Sequence, residues 1–522
     1  MKTFKITMMV LSVLFFVACN DDDNPGDMGT TPVASKTFEL WSVSDASIMG
    51  DATFIKNSDN SVTIELDLSG TSSGVMSPAH IHYNTAAEGG AIALTLGTVD
   101  GSTGMSSVTV SALDDGTAIT YEQLLDFDGY INVHASANDL ATLIAQGDIG
   151  QNELTGMSET YPLNAVAEAS ISGEVSFYER VNGETLVKAM LMNTPTDGMH
   201  PGHIHYNTAA EGGGIAISLT TLDGNTGMSA TNVSMTDDGT MVTYDDMIDF
   251  DGYVNFHLSA DDLATLVGQG DIGQNALTGE SMTYDLGAVA DPNISGTATF
   301  YERNNGETLI NVMLMNTPSG GMHPGHIHFN TAAEGGGIAV TLTTVDGTTG
   351  MSATNVGMLD DGTMVTYDDL VDFDGYINIH LSANDLATLV AQGDIGQNAL
   401  TGMSTTYTLN SVDVPSISGS VMFEERMNGE ALATIMLMNT PAGGSHPAHI
   451  HMNDAATGGA IIFTFNSVDG STGMSKTNVS MFDDGASFTY DDVATVNGYV
   501  NVHFSANDLA TLVAQGNIGI NN

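Results

Sequence analysis

The chain has 522 residues, of which 42% are hydrophobic, and its 63 acidic residues face only 9 lysines and arginines, for a formal net charge of −54. Such an acidic surface repels polyanions, so the composition argues against nucleic acid as a partner. The length corresponds to about three to four domains.

The N-terminus is typical of an exported lipoprotein. Two lysines precede an apolar run, residues 6–17, that is too short to span a bilayer comfortably. The single cysteine, Cys19, closes a segment, residues 16–19, that resembles a bacterial lipobox. We therefore predict that residues 1–19 are a lipoprotein signal peptide that ends at a lipidated Cys19. With this cysteine used for lipid, no disulfide is left to hold the exported domains together.

Residues 20–35 are predicted to be a flexible acidic tether, because they are polar and rich in Asp, Pro and Gly. The run DDD at 21–23 resembles the acidic tag that sends some Gram-negative lipoproteins to the outer cell surface. We therefore expect an outer-membrane lipoprotein of a Gram-negative bacterium, displayed at the cell surface and held in the membrane by its N-terminal lipid.

After the tether, the sequence repeats four times at a pitch of 123 residues. Gly50, Gly173, Gly296 and Gly419 occupy equivalent positions, and no insertion interrupts the register. A fixed pitch of this kind indicates four copies of one structural unit. The predicted units are residues 36–158, 159–281, 282–404 and 405–522.

Each unit is predicted to be an antiparallel β-sandwich of Ig-like type, so the fold class is all-β. Short runs with alternating apolar residues are separated by Gly, Asn and Asp turn signals. One or two short helices are expected per unit, because residues 243–246 and 259–262 of the second unit both fit a capping box. The second of these helices is predicted over residues 260–267. The 30 methionines are predicted to be mostly core filler.

All fifteen histidines belong to two motifs that recur in every unit, an H-x-H strand and a later N-x-H strand. They are His80, His82 and His134; His200, His203, His205 and His257; His323, His326, His328 and His380; and His446, His449, His451 and His503. The first unit has Ser77 where the others have an additional histidine. All fifteen are candidate metal ligands.

Strand alternation places His203 and His205 on one face and Ile204 on the other. The same rule places His257 on the polar face of its own strand. If the two strands are neighbours, the three imidazoles converge in a manner that suits zinc or copper, with up to one ion per unit. His200 is a candidate fourth ligand, although Ser77 in the first unit favours a count of three.

Besides the metal site, two alternatives remain open for these histidines. The histidines also fit a hydrogen-bonded His-Tyr-Asn network that stiffens the sheet or an interface between units. They also fit a pH switch, because clustered neutral imidazoles gain charge at about pH 6 to 6.5. The acidic turns at 223–225 and 249–252 offer oxygen ligands for calcium, but turn capping by Asp side chains explains most of them.

HIHY at 203–206 and YVNFH at 253–257, followed by a Gly-rich closing strand, resemble the CHRD domain, the module named after chordin. The opening strands TYPLNAV and ISGEVSFY fit the same pattern, and the resemblance covers all four units. It departs at 270–275, where GDIGQN replaces an Arg-bearing close. The resemblance implies an extracellular β-sandwich that is associated with binding secreted proteins in animals and with exported proteins in bacteria.

Together these features predict a surface-anchored lipoprotein of tandem CHRD-like modules that binds or adheres to a protein or matrix ligand without catalysis. Tandem copies gain avidity when each binds weakly. The alternative is a metal-dependent enzyme of dismutase-like type, because those sandwiches also carry H-x-H on a strand. No further histidine lies between Tyr206 and Phe256 to bridge a second metal, which limits each unit to one ion.

Overall fold

The computed structural model describes residues 30–522, so the predicted signal peptide, Cys19 and most of the predicted tether lie outside the described residues. The chain divides into two compact units. The first comprises the described residues up to Met157 together with Glu179–Gly183. The second comprises Ser158–Tyr178 and Glu184–Asn522. Among the described residues, no helix combines the length and the apolar character needed to cross a bilayer.

The secondary structure repeats four times, and we call each repeat a module. Module 1 contains β1 (Pro32–Ser42), β2 (Met49–Asn57), β3 (Val62–Ser69), β4 (Met76–Tyr83), β5 (Ile92–Asp100), β6 (Met105–Val110), α1 (Tyr121–Leu125), β7 (Asp128–Ser136) and β8 (Asp139–Gly150). Module 2 contains β9 (Leu154–Leu163), β10 (Ser172–Arg180), β11 (Thr185–Met192), β12 (Met199–Tyr206), β13 (Ile215–Asp223), β14 (Met228–Val233), α2 (Tyr244–Ile248), β15 (Asp251–Ser259) and β16 (Asp262–Gly273).

Modules 3 and 4 repeat the same order. Module 3 contains β17 (Leu277–Ala288), β18 (Ser295–Arg303), β19 (Thr308–Met315), β20 (Met322–Phe329), β21 (Ile338–Asp346), β22 (Met351–Val356), α3 (Tyr367–Val371), β23 (Asp374–Ser382) and β24 (Asp385–Gly396). Module 4 contains β25 (Leu400–Ser411), β26 (Ser418–Arg426), β27 (Ala431–Met438), β28 (Ser445–Met452), β29 (Ile461–Asp469), β30 (Met474–Val479), α4 (Tyr490–Val493), β31 (Asn497–Ser505) and β32 (Asp508–Gly519). Modules 2 to 4 begin five residues before the predicted unit boundaries, and β1 takes up the last residues of the predicted tether.

Each module is an antiparallel sheet of eight strands that curls into a barrel. In module 1 the strand order is β1-β2-β3-β6-β5-β4-β7-β8, and this barrel and those of modules 3 and 4 are closed. The sheet of module 2 has the same order, and its edge strands meet at a bridge between Asn164 and Gln269. The all-β, antiparallel prediction is confirmed. The sandwich is not what forms, because the first and last strands pair and close one sheet on itself, which removes its edges.

The core of each module fills the inside of its barrel. Alternate residues along the strands point inward, and Ile204, Val254 and Phe256 of module 2 have no exposed surface. Each of the four hydrophobic clusters consists of residues from a single module. Most methionines lie outside these cores: all of those in the described residues are exposed except Met247 and Met422. The prediction that methionine is mainly core filler is therefore wrong.

One of the two predicted helix starts is confirmed and the other is wrong. Thr243 caps α2 with a complete capping box. Ser259 instead belongs to the tight turn between β15 and β16, where the Asp262 N–H donates to its hydroxyl at 3.1 Å and the Thr265 N–H donates to the Asp262 carboxylate at 3.0 Å. Side chains that cap helices can equally close turns, so the local pattern does not separate the two outcomes.

Buried arginines contact the preceding module. Arg303, at the end of β18, forms an ion pair with Asp271 of module 2 at 2.7 Å, and Arg426 pairs in the same way with Asp394 of module 3 at 2.7 Å. Within the first unit, Arg180 pairs with Asp148 at 2.8 Å. All three arginine side chains have no exposed surface. We call the buried Arg–Asp ion pair at each of these contacts the arginine latch. Modules 1 and 4 each lack one residue of the pair. Asn57 occupies the arginine position in module 1, and Asn517 occupies the aspartate position in module 4.

Candidate metal centres

Three histidines meet on the outer wall of every barrel. The clusters are His80, His82 and His134; His203, His205 and His257; His326, His328 and His380; and His449, His451 and His503. In each cluster the candidate ligand atoms all lie within 4.8 Å of one another. In module 2 the first two histidines lie on β12 and the third on its antiparallel neighbour β15. Because their side chains point away from the core, the clusters form on the polar face that strand alternation predicts.

The spacing of the imidazole nitrogens is close to what a tetrahedral ion needs. In module 2, Nδ1 of His203 and Nε2 of His257 are 3.1 Å apart, and the equivalent pairs are 3.2 Å apart in module 1 and 3.0 Å apart in module 3. Zinc with ligand bonds of about 2.0 to 2.1 Å separates its tetrahedral ligands by about 3.3 Å. In the metal-free protein Nδ1 of His203 donates to Nε2 of His257, so an ion would take the place of that proton with two ligands already close together, and the third ligand atom lies within 4.8 Å of both.

Backbone carbonyls orient two of the three ligands. Nδ1 of His257 donates to the Leu263 carbonyl at 2.7 Å, and Nδ1 of His205 donates to the Gly213 carbonyl at 3.0 Å. A carbonyl can only accept, so each Nδ1 carries the proton and each Nε2 keeps the lone pair that a metal requires. Nε2 of His205 is buried and has no hydrogen-bond partner. Both side chains are therefore held in the tautomer that can coordinate an ion.

A loop and a tyrosine support the His205 side. Residues 207–214, which we call the ligand loop, join β12 to β13 and supply the Gly213 carbonyl. The Gly213 N–H donates to the Tyr253 hydroxyl at 3.2 Å. The Tyr253 ring stacks on His205 with ring centroids 4.9 Å apart. Beside it, the Gln269 side chain donates to Asn255 at 2.9 Å. Hydrogen-bonded Tyr and Asn side chains thus surround the cluster as a scaffold.

Burial lowers the pKa of several clustered imidazoles and so favours their neutral form. Burial is the main cause that lowers the pKa of His203, the positive forms of His257 and His205 lower it further, and the charge of Asp237 opposes the shift. Burial also lowers the pKa of His257. The same direction holds for the pKa of His80, His326, His380, His449 and His503. Neutral imidazole is the form that binds metal ions, so the environment favours ligation.

The additional histidines, His200, His323 and His446, do not join the clusters. All three are buried. His200 shares its strand parity with Ile204, so it faces the barrel interior, where its Nδ1 donates to the His257 backbone carbonyl at 3.1 Å. In module 1 the Ser77 hydroxyl donates to the Ala135 carbonyl at 3.4 Å. The candidate site therefore contains three histidines per module, and strand parity was the signal that separates His200 from them.

The carboxylates of the two acidic turns accept hydrogen bonds from the protein, Asp223 within its own turn and Asp251 from a residue outside its turn. The Asp223 carboxylate accepts the Asn225 N–H at 2.7 Å, and the Asp251 carboxylate accepts from the Asn275 side chain at 2.8 Å. Within residues 30–522, every group of three or more His, Cys, Asp or Glu side chains that could hold an ion is one of the trihistidine clusters. Sequence reasoning missed the Gly213 and Leu263 carbonyls, since a backbone group leaves no side-chain signal.

The comparisons with known proteins agree with the resemblance in part of the chain. Residues 35–140, which include the first trihistidine cluster, match the CHRD domain family. A search of curated proteins finds no match to this chain. One solved structure, titled "Biofilm associated protein - BSP domain", is 10% identical, with 95% of this chain and 98% of that chain covered. Its TM-score of 0.14 is too low for a structural argument.

Proposed function

We propose that this chain is an exported, surface-anchored binding protein whose four modules each hold one zinc or copper ion on the outer wall of the barrel. Its role is binding or adhesion to a protein or matrix ligand, without catalysis. The observation that carries the metal assignment is the trihistidine cluster, in which backbone carbonyls orient two of the ligands. Structural zinc sites and many copper sites use imidazole ligands in this way.

The anchoring part of the proposal is supported by the N-terminal sequence. An apolar leader ends at the single Cys19, and an acidic segment follows it. The match of residues 35–140 to the CHRD domain agrees with an extracellular binding role. The formal charge of −54 raises the local concentration of cations near the surface.

Metal content tests the site. The purified chain, loaded with zinc and freed of excess metal, is expected to retain four equivalents. His257→Ala removes a ligand from one cluster and is expected to lower the content to three. His200→Ser is the matched control, because it removes a histidine of the same module that lies outside the cluster, and it should keep four. Loss of the same amount of zinc in both variants would refute the assignment.

Anchoring has a separate test. In a Gram-negative host, Cys19→Ser removes the acceptor for lipid and is expected to release the chain from the membrane fraction. Protease added to intact cells should digest the wild-type protein if it faces outward. Membrane retention of the Cys19→Ser variant equal to that of the wild type would contradict a lipid anchor.

A further inference from the structure

The arginine latch and the ligand loop are held by the same residues. One carboxylate oxygen of Asp271 binds Arg303 of module 3 at 2.7 Å, and the other accepts the Ala209 N–H of the ligand loop at 2.7 Å. The Asn275 backbone carbonyl accepts from Arg303, and its side chain donates to the carbonyl of Asn207 at 3.0 Å. The first residues of the ligand loop are thus fixed by the two residues that receive the arginine.

The ligand loop continues from these contacts to a metal ligand. Inside it, the buried Thr208 hydroxyl donates to the Glu211 carboxylate at 2.7 Å, and the Thr208 carbonyl accepts the Gly212 N–H at 2.9 Å. The next residue, Gly213, binds the His205 imidazole through its carbonyl and the Tyr253 hydroxyl through its N–H. Because the loop is short and internally bonded, we expect a shift at Ala209 to displace the Gly213 carbonyl.

The contact between modules 3 and 4 repeats this arrangement in full. The Asp394 carboxylate binds Arg426 at 2.7 Å and accepts the Ala332 N–H at 2.7 Å, and the Gly336 carbonyl accepts from His328 at 3.0 Å. Module 4 carries the arrangement without the charge pair. There Asn517 accepts the Ala455 N–H at 2.9 Å, and the corresponding Gly459 carbonyl accepts from His451 at 3.0 Å.

We infer that the arginine latch sets the metal affinity of the module that precedes it, with Arg303 acting as a positioning residue for His205. The inference rests on the proposed metal function. Removing the arginine leaves the Asp271 carboxylate with little water and no cation, so its bond to the ligand loop must rearrange. Partners that orient a metal ligand typically change metal affinity about 10- to 100-fold when they are mutated.

Coupling between binding events is reciprocal. If the latch strengthens ion binding in module 2, the bound ion strengthens the attachment of module 3 to the same degree. Metal would then stiffen the joints between modules in addition to filling the sites. Module 4 has Asn517 at the aspartate position, so no arginine latch supports its ligand loop. We therefore expect module 4 to bind zinc more weakly than modules 2 and 3.

The test isolates one site. In a full chain that carries His134→Ala, His380→Ala and His503→Ala, only the cluster of module 2 remains complete. In this background, Arg303→Gln is expected to lower zinc affinity about tenfold, measured by competition with a chelator. Arg426→Gln is the matched control, because it removes the same ion pair at the next joint and should leave the affinity unchanged. Arg303→Lys retains the charge and should recover part of the loss.

Equal losses in the Arg303→Gln and Arg426→Gln chains would show general loosening and overturn the inference, as would no loss in either. A background chain that binds no zinc before Arg303 is changed would refute the metal sites themselves. If Arg303→Gln prevents folding, Asp271→Asn and its control Asp394→Asn allow the same comparison, because Asn517 already takes this place in module 4. A selective loss of zinc affinity in Asp271→Asn would support the inference, and equal affinities in the two variants would overturn it.

Discussion

At the scale of single residues, each trihistidine cluster combines ligands with groups that hold them ready. His205 and His257 each use one ring nitrogen to bind a backbone carbonyl, which leaves the other nitrogen available for an ion. His200, three residues before His203, has a different role, since it lies inside the barrel and stiffens the strand through the His257 carbonyl. The same residue type thus serves both as a ligand and as packing within one motif.

The lowered pKa of His203 and its equivalents predicts a pH effect on the metal-free protein. The folded state binds these protons more weakly than the unfolded state, so their contribution to stability is complete above about pH 6.5 and is lost as the pH falls below it. Chemical denaturation with a chelator present, between pH 7.5 and 5, should show this loss. A variant with glutamine at His80, His203, His326 and His449 should lose less stability over that range. Identical slopes in the two proteins would contradict the assignment.

At the scale of secondary-structure elements, one side-chain pattern has two outcomes. Thr243 and Asp246 cap α2 by reciprocal bonds, whereas Ser259 and Asp262 close a hairpin. The difference arises from the residues that follow each capping pattern. Residues 262–273 pair along β15 in an extended register, so strand pairing prevails over the helical start. Local hydrogen bonds are compatible with both structures, and the long-range ladder decides between them.

The cap of α2 predicts a measurable stability change. Thr243→Ala removes the hydroxyl that accepts the Asp246 N–H and should cost about 1 kcal/mol. The expected result is a lower denaturant midpoint for the transition that includes module 2. Thr243→Ser keeps an equally good capping group and should retain the wild-type midpoint. A loss of the same size in both variants would indicate that the methyl group of the threonine, and not the cap, is responsible.

The outward-facing methionines predict tolerance to oxidation. Met190 and Met192 alternate with buried residues on β11, so both thioethers face solvent, whereas Met247 is fully buried. Mild peroxide treatment should therefore convert the exposed methionines to sulfoxides and leave Met247 intact, with little change in melting temperature. Peptide mass spectrometry reports the sites. Early oxidation of Met247, or unfolding in step with oxidation at exposed positions, would contradict this placement.

At the scale of the whole molecule, the repeats combine self-contained cores with a specific joint. Each barrel has its own hydrophobic cluster, so the apolar core of a module is formed within that module. The arginine latch adds a buried charge pair to that arrangement, and both ends of the array lack one partner of it. The ion pair therefore occurs at the three contacts at which both the arginine and the aspartate are present.

The joint predicts an asymmetry between two isosteric changes. Asp271→Asn leaves Arg303 buried without its counter-charge and should cost about 3 kcal/mol, measured as a lower denaturant midpoint for modules 2 and 3. Asn517→Asp makes the reverse change at the equivalent position of module 4, and the three arginines of the chain are all paired with other aspartates. Its effect should stay within about 0.5 kcal/mol. Equal effects of the two changes would show that the ion pair contributes little to the joint.

The fourfold repeat, the antiparallel strands, the helix start at Thr243 and the common polar face of His203 and His205 could be predicted from the sequence alone. These features follow from the fixed pitch of the repeat and from the alternation of side chains along a strand, which indicates which face is buried. The pairing of β12 with β15, which brings His257 to the other two histidines, could not be predicted in this way. Closure into barrels was decided by tertiary structure, since alternation is the same in a sandwich and in a barrel, and the pairing of the first and last strands joins distant residues. The carbonyls that orient the ligands and the arginine that connects modules were likewise visible only in three dimensions, because neither forms a local pattern with the histidines that it supports.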